Sequence, residues 1–322
     1  MDHATVVVSG TKIAEEIGTS RSEVWRLIQQ LRELGVDVAG RPATGYQLRA
    51  VPDLVLPEMI GPLVKGTIFG AGGNGAKQFH HYYKVGSTNS EAMQAAADGA
   101  PEGSAFLAEE QLAGRGRGAH AWQSARSAGV YCSVILRPVM APSDALIFSL
   151  AAGLAVRSAV AEIAPQLLAD LKWPNDLLLG GKKFCGILTE MNAEATRVRY
   201  LVVGIGINVN QVKFSAELRE IATSLKIETG TEWSRVELCA ALLKSLDREY
   251  RSLTRDAGAR DAILQRFEQH SSSVRGQKVS VEENGRLTGV TEGLDERGFL
   301  RVRTAEGLKT VLSGTVRVIG NV

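Results

Sequence analysis

Three glycines alternate with two arginines at Gly114-Arg115-Gly116-Arg117-Gly118, between two apolar runs that read as strands. The run before it is Ser104-Ala-Phe-Leu-Ala-Glu-Glu-Gln111, and the run after it is Val130-Tyr-Cys-Ser-Val-Ile-Leu136. Glycine lets the backbone reach positive φ and approach a ligand closely. Guanidinium groups stay charged and fork onto phosphate or carboxylate oxygens. A loop with so few side chains of its own to pack is expected to stay mobile until an anion arrives. It is not a dinucleotide fingerprint, which needs a helix directly after the glycines. A surface hairpin with two solvated arginines is the competing reading of the pentamer alone.

The chain has 322 residues, room for two or three domains. Its 44% hydrophobic and 22% charged residues are those of a globular protein with a proper core. A net charge of +2 leaves any basic surface local. The three cysteines (Cys132, Cys185, Cys239) lack metal-ligand spacing, and their odd number suits a reducing compartment. Cys132 and Cys185 read as small core residues. Met1-Asp-His-Ala lacks the basic start and apolar core of a signal peptide. Residues 145–164 carry Ser149, Arg157, Ser158 and Glu162, too polar for a span of ~20 apolar residues. A cytoplasmic location is expected.

The first ten residues are too short and β-branched for a packed helix. Residues 11–17 make a short amphipathic helix, and Ser20-Arg-Ser-Glu23 fits a capping box for a second. Val24, Leu27, Ile28, Leu31 and Leu34 share one face of it, Gly35 ends it, and a hairpin follows over 36–48. The set resembles a winged helix-turn-helix, with Arg21, Ser22, Trp25 and Arg26 facing outward toward phosphates and base edges. A winged helix normally has a further helix before this pair, for which the chain has no room. DNA binding and a small packing module that binds no DNA therefore both stand.

Residues 51–66 read as a Pro- and Gly-rich linker, with a short helix near 56–60. Gly70-Ala-Gly-Gly-Asn-Gly75 matches a dinucleotide pattern literally, but a strand-like run follows, so it reads as a loop. Gly86-Ser87-Thr88-Asn89 is a turn before an alanine-rich helix, a cap that also offers hydroxyl and amide groups. A long apolar helix covers 144–163. Lys172-Trp173-Pro174-Asn175-Asp176 leads into a Gly180-Gly181 hairpin and Lys183, Cys185 and Gly186. The strand at 200–209 is interrupted by Gly204 and Gly206, a mark of close approach by a ligand or another backbone, and ends near Asn208. Helices follow at 235–255 and 259–270. Five short alternating strands after 273 suggest an SH3-like barrel.

Four stretches together resemble a bacterial biotin protein ligase of the bifunctional ligase–repressor type. They are Gly86-Ser87-Thr88-Asn89, Gln111 to Arg117, Lys172-Trp173-Pro174-Asn175-Asp176 with Lys183 and Gly186-Ile-Leu, and Gly204-Ile-Gly206-Ile-Asn208-Val. The resemblance implies an α+β chain in three parts: a winged helix-turn-helix-like module at 1–50, a mixed-sheet catalytic domain at 67–272 after the linker, and an SH3-like domain at 273–322. It implies that biotin and ATP, with Mg²⁺, give biotinyl-5′-adenylate, and that biotin then passes to a lysine of the biotin carboxyl carrier protein of acetyl-CoA carboxylase. It places Ser87, Thr88, Asn89, Gln111, Gly186, Gly204 and Gly206 around biotin. Arg115, Gly116, Arg117 and Lys183 would contact biotin and its adenylate, with Lys183, Arg115 and Arg117 catalytic. Trp122, Asn175 and Asn208 would lie at the nucleotide, and Asp176 would hold Mg²⁺. Operator DNA and a second copy in a homodimer complete the expected partners, with no membrane. Where the family loop continues with Gly and Arg, this chain has Ala119 and His120, which predicts a leakier grip on the adenylate. The alternatives are a lipoate-type ligase or acyltransferase and a purely regulatory biotinyl-adenylate sensor.

Overall fold

The computed structural model describes residues 6–33, 36–41, 44–49, 53–70, 78–118, 120–283 and 285–319. The chain divides into two compact units, Met1–Leu54 and Val55–Val322.

The first unit contains β1 (Val7–Val8), α1 (Gly10–Glu16), α2 (Arg21–Glu33), β2 (Val38–Arg41) and β3 (Gly45–Leu48). The Ser9 hydroxyl caps α1 by accepting the Lys12 N–H. Half of the expected capping box forms on α2: Ser20 Oγ accepts the Glu23 N–H at 3.2 Å. The Glu23 carboxylate instead takes the Arg26 guanidinium, at 2.9 and 2.5 Å, which holds it below its usual pKa. Val24 and Ile28 of α2, Ala14 of α1, and Val36 and Val38 are buried apolar side chains of this unit. β3 lies between β1 and β2 in an antiparallel sheet. The element before α1 is thus a strand that extends the wing. Leu34, Gly35 and the hairpin tip at 42–43 lie outside the described residues.

The second unit begins with packed structure where a linker is expected. α3 (Pro57–Ile60) and a 3-10 turn at Gly61–Val64 bury Ile60 and Val64, and Val55 is buried beside them. Residues 71–77 of the glycine-rich stretch lie outside the described residues, and a strand, β4 (Phe79–Tyr82), follows them. The remaining catalytic elements are α4 (Thr88–Ala97), β5 (Ala105–Ala108), β6 (Gly129–Leu136), α5 (Leu146–Ile163), β7 (Asp170–Lys172), β8 (Asp176–Leu179), β9 (Lys182–Ala193), β10 (Val198–Asn208), α6 (Leu225–Thr229), α7 (Arg235–Arg255) and α8 (Ala259–Gln269). Seven strands form one sheet in the order β4-β5-β6-β10-β9-β8-β7, parallel only between β4 and β5.

Side chains alternate across a strand, and β10 sorts its two faces accordingly. Leu201, Val203, Ile205 and Ile207 point into the core with α5, α7 and α8. Tyr200 and Val202 point the other way, with α4 and Phe106. Gly204 and Gly206 fall on that second face. α5 is long and apolar enough to cross a membrane, but it is mostly buried inside this core.

β11 (Arg275–Glu283), β12 (Gly285–Leu294), β13 (Leu300–Thr304), β14 (Gly307–Val311) and β15 (Thr315–Val318) form one antiparallel sheet, ordered β14-β13-β12-β11-β15. The five strands sit where the alternation predicts. Val279, Val281, Leu300 and Val302 join the same core as the central sheet. Trp173 Nε1 donates to the Gly298 carbonyl at 2.9 Å, tying the two sheets together. The Trp173–Pro174 peptide is cis.

Candidate functional site

The register of the central sheet builds the site. Ser133, Gly204 and Leu188 lie side by side on β6, β10 and β9. One step along, Tyr131, Gly206, Gly186 and Asp176 form a second row across β6, β10, β9 and β8. The glycines leave a trough on the face shared with α4. A Cβ on Gly204 would lie 1.9 Å from Asn89 Oδ1, and one on Gly206 would lie 2.5 Å from the Trp122 indole. Any side chain at either position displaces its neighbour.

The trough is a cavity lined by Ser87, Thr88, Asn89, Gln111, Ser133, Arg115, Gly116, Arg117, Trp122, Asn175, Lys183, Gly186, Gly204 and Gly206, with Leu188 as apolar wall and the Ile187 and Ile205 side chains turned into the core. One end is polar and tightly wired. The Thr88 N–H and hydroxyl donate to Gln111 Oε1 at 2.8 and 3.1 Å. Gln111 Nε2 donates to Ser124 Oγ at 2.9 Å. Asn89 Nδ2 donates to Glu190 at 3.0 Å and to the Leu188 carbonyl at 3.3 Å. Ser133 Oγ lies 2.7 Å from Thr88 Oγ1 and 2.6 Å from Asn89 Oδ1. Ser87 is buried at the start of α4, and its side chain caps nothing.

The other end is cationic. Arg115 forks onto Glu190 at 2.9 and 2.7 Å. Lys183 Nζ sits 2.6 Å from Asp176 and 5.6 Å from the centre of the Trp122 ring. Arg117 donates to the Gly314 carbonyl of the C-terminal sheet at 3.2 Å. The Arg115 and Lys183 pairs are open to water, with side chains 47% and 35% exposed. Such pairs are worth about 1 kcal/mol or less, so a polyanion can exchange for either carboxylate cheaply.

The glycine–arginine loop folds back as a tight hairpin. Gly116 N–H donates to the His120 carbonyl and Trp122 N–H to the Gly114 carbonyl, both at 2.8 Å. The hairpin lays the Trp122 ring on Gly186 and Gly206, and its Nε1 is buried with no acceptor among the described residues. Only about 40 Å³ of free space remains beneath it. Ala119 lies outside the described residues.

Asn208 lies outside the trough lining, and Asp176 lies at its edge. Asn208 is buried below the trough, donating to the Thr223 carbonyl at 3.0 Å and accepting from Gln211. It lies on the trough face, but the chain turns away at the end of β10, so its amide braces the following segment. Asp176 faces Lys183, and among the described residues no group of three or more His, Cys, Asp or Glu converges on a point. Asp176 would therefore have to share a Mg²⁺ ion with the phosphates of a bound nucleotide. In the first unit, Arg21, Ser22, Trp25 and Arg26 are all exposed on α2, Trp25 by 58%. Ser22 bonds Ser20, and Arg26 is engaged by Glu23.

Ser133 and Glu190 escape the sequence reading. The first carried a usable signal, a polar residue in a fully buried strand. The second did not, since a Glu on a strand is ordinarily a solvated edge charge.

A model of the Biotin/lipoate A/B protein ligase family matches residues 85–208, a span holding every residue that lines the trough. The fold and the site thus define a domain of the biotin/lipoate ligase class. An HTH domain matches residues 2–47, and a Biotin protein ligase C terminal domain matches 275–318. The chain is 34% identical to the bifunctional ligase/repressor BirA of Bacillus spizizenii, covering 97% of this chain and 94% of that one. It is 29% identical to BirA of Escherichia coli, covering 96% and 92%. The biotin protein ligase of Aquifex aeolicus in complex with biotin and ATP superposes with a TM-score of 0.65 at 30% identity, over 76% of this chain and all of that one. The chain belongs to the biotin protein ligase family, in the arrangement of the bifunctional ligase/repressors, with a helix-turn-helix module ahead of the ligase domain.

Proposed function

We propose that the chain makes biotinyl-5′-adenylate from biotin and ATP and transfers the biotinyl group to a lysine of the biotin carboxyl carrier protein of acetyl-CoA carboxylase. The observation that carries this reading is one trough with a hydrogen-bonding end and a cationic end. A buried cyclic urea needs donors and acceptors on every edge. Ser87, Thr88, Asn89 and Gln111 supply them, with Ser133 behind. Leu188, on the same face as Gly204, gives an aliphatic chain an apolar contact. Gly186, Gly204 and Gly206 let it lie close on the sheet.

In the first step a carboxylate oxygen of biotin bonds to the α-phosphorus, and the bond to pyrophosphate breaks. Charge grows on the phosphate where Lys183, Arg115 and Arg117 can reach it, Gly116 letting the loop backbone come close. In the second step the lysine ε-amine attacks the acyl carbon. The amide forms, the acyl–oxygen bond to AMP breaks, and one proton leaves the amine. Trp122 and Asn175 border the nucleotide side. Mg²⁺ is expected as the counter-ion of the nucleotide, and no step is assigned to it. The reaction belongs in the cytoplasm, beside its carrier protein.

The deciding experiment is transfer of labelled biotin to a carrier domain with ATP and Mg²⁺. Label on the carrier lysine supports the reading, and its absence with folded protein overturns it. Competition between biotin and lipoate separates the lipoate-type alternative, because a dithiolane offers the polar end no partners. His120→Arg is expected to slow adenylate release about threefold to tenfold by adding one charged contact. Equal release rates by rapid filtration would remove that idea.

The HTH match and the exposed α2 face support a second role as an operator-binding repressor, for which a homodimer is the expected form. Mobility shifts on biotin-synthesis promoters are expected to strengthen when biotin and ATP are added together. No shift under either condition would leave the ligase alone.

A further inference from the structure

Arg235 is the largest fully buried side chain among the described residues, and the trough does not use it. Its Nη1 donates to Glu109 Oε2 at 2.8 Å and to the Gly129 carbonyl at 3.2 Å. Glu109 and Gly129 are the two ends of the excursion that carries Arg115, Arg117 and Trp122. β5 ends immediately before Glu109, and β6 starts at Gly129. One guanidinium on α7 therefore holds both sides of the loop's neck.

The rest of the neck is equally well tied. Glu109 is 1% exposed, and its other oxygen accepts the Val55 N–H at 2.9 Å and faces His81 Nε2 at 3.2 Å. Its backbone carbonyl accepts the Ser127 N–H at 2.9 Å. Burial pushes the Glu109 carboxyl up, but His81 and Arg235 outweigh it and hold the group below its usual value. The Tyr131 hydroxyl donates to the Ala125 carbonyl at 2.8 Å and accepts from Gln211, bracing the returning strand.

A buried ion pair is poor evidence of stability, since well-packed apolar residues often do as well. A pair kept at this point needs another reason, and the bonds to both loop ends supply one. We propose that Arg235 and Glu109 are positioning residues for the ligase reaction: their pair fixes the neck of the glycine–arginine loop, so that the loop closes over the acyl-adenylate in one register. The inference rests on the ligase reading above. Arg235 and Glu109 touch no ligand. They act through the placement of Arg115, Arg117 and Trp122, and a misplacement of about 1 Å costs up to about 100-fold in such sites.

The test uses the full-length chain and the neutral double variant Glu109→Gln/Arg235→Met. It removes both buried charges together and keeps a carbonyl for the Val55 N–H. Arg235→Lys is the second variant, a charge without the planar fork. Two quantities are read on protein whose thermal unfolding is still cooperative. They are the release rate of preformed biotinyl-adenylate and the pyrophosphate made per biotin transferred. The double variant is expected to release adenylate about tenfold faster and to waste pyrophosphate, with Arg235→Lys between it and wild type. A merely structural pair would lower the melting temperature and leave both quantities alone. Wild-type release and stoichiometry in a folded variant, either the double or Arg235→Lys, overturn the proposal while the ligase reading stands. A wild-type chain that makes no adenylate overturns both.

Discussion

Lys183→Ala is expected to lower the rate of adenylate formation about 100- to 1,000-fold, the usual loss when one preorganised charge is removed from a developing anion. The fold should survive. Lys183 is the second residue of β9, beside the Gly180-Gly181 turn, and its ion pair with Asp176 is partly solvated. Its loss from that pair costs about 1 kcal/mol or less. Pyrophosphate release at saturating biotin and ATP measures the effect, and the melting temperature controls for folding. Because Lys183 is expected to act on charge that grows in the transition state, kcat should fall while the KM for biotin changes little. Near-normal turnover would remove the ammonium from the chemistry. Arg117→Ala should behave similarly, with an added loss of contact to the Gly314 carbonyl.

Gly204→Ala is the second large effect, and it falls on binding. The new methyl would sit 1.9 Å from Asn89 Oδ1, and β10 cannot yield, since it pairs with β6 on one side and β9 on the other. Asn89 must therefore leave Ser133, Glu190 and Leu188, the contacts that fix the polar end of the trough. Each buried polar group left unpaired costs about 1–3 kcal/mol, so the KM for biotin should rise about 100-fold. The KM for ATP should move much less. A biotin KM within twofold of wild type would show that Asn89 does not shape the biotin end.

The two predictions differ in how far the sequence foreshadowed them. Lys183 stands out within its motif, and Gly204 as a break in an apolar run. The reason for that glycine is not local. It exists because α4, more than a hundred residues earlier in the chain, puts Asn89 over it. The same distance in sequence hid Glu190, whose partners are Asn89 and Arg115. It also hid Arg235, whose side chain crosses to the ends of a loop far upstream. Asn208 shows the opposite case. Its place at the end of a glycine-broken strand suggests a ligand contact, but the chain turns there and buries the amide against Thr223.

Local chemistry is legible in one dimension. Alternation, helical period, turn glycines and caps act over a few residues, and they specify the strands, the long helices 235–255 and 259–269, and the residue types gathered for an adenylate. Which of those residues share a cavity depends on strand order and register, set by burial summed over the whole sheet. The tertiary structure alone therefore decided that the presumed linker packs into the second unit, that Asp176 faces an ammonium, and that one buried arginine holds both ends of the loop. Long-range contacts of that kind leave no period in the chain, because each is made between residues whose spacing in sequence carries no information about their distance in space.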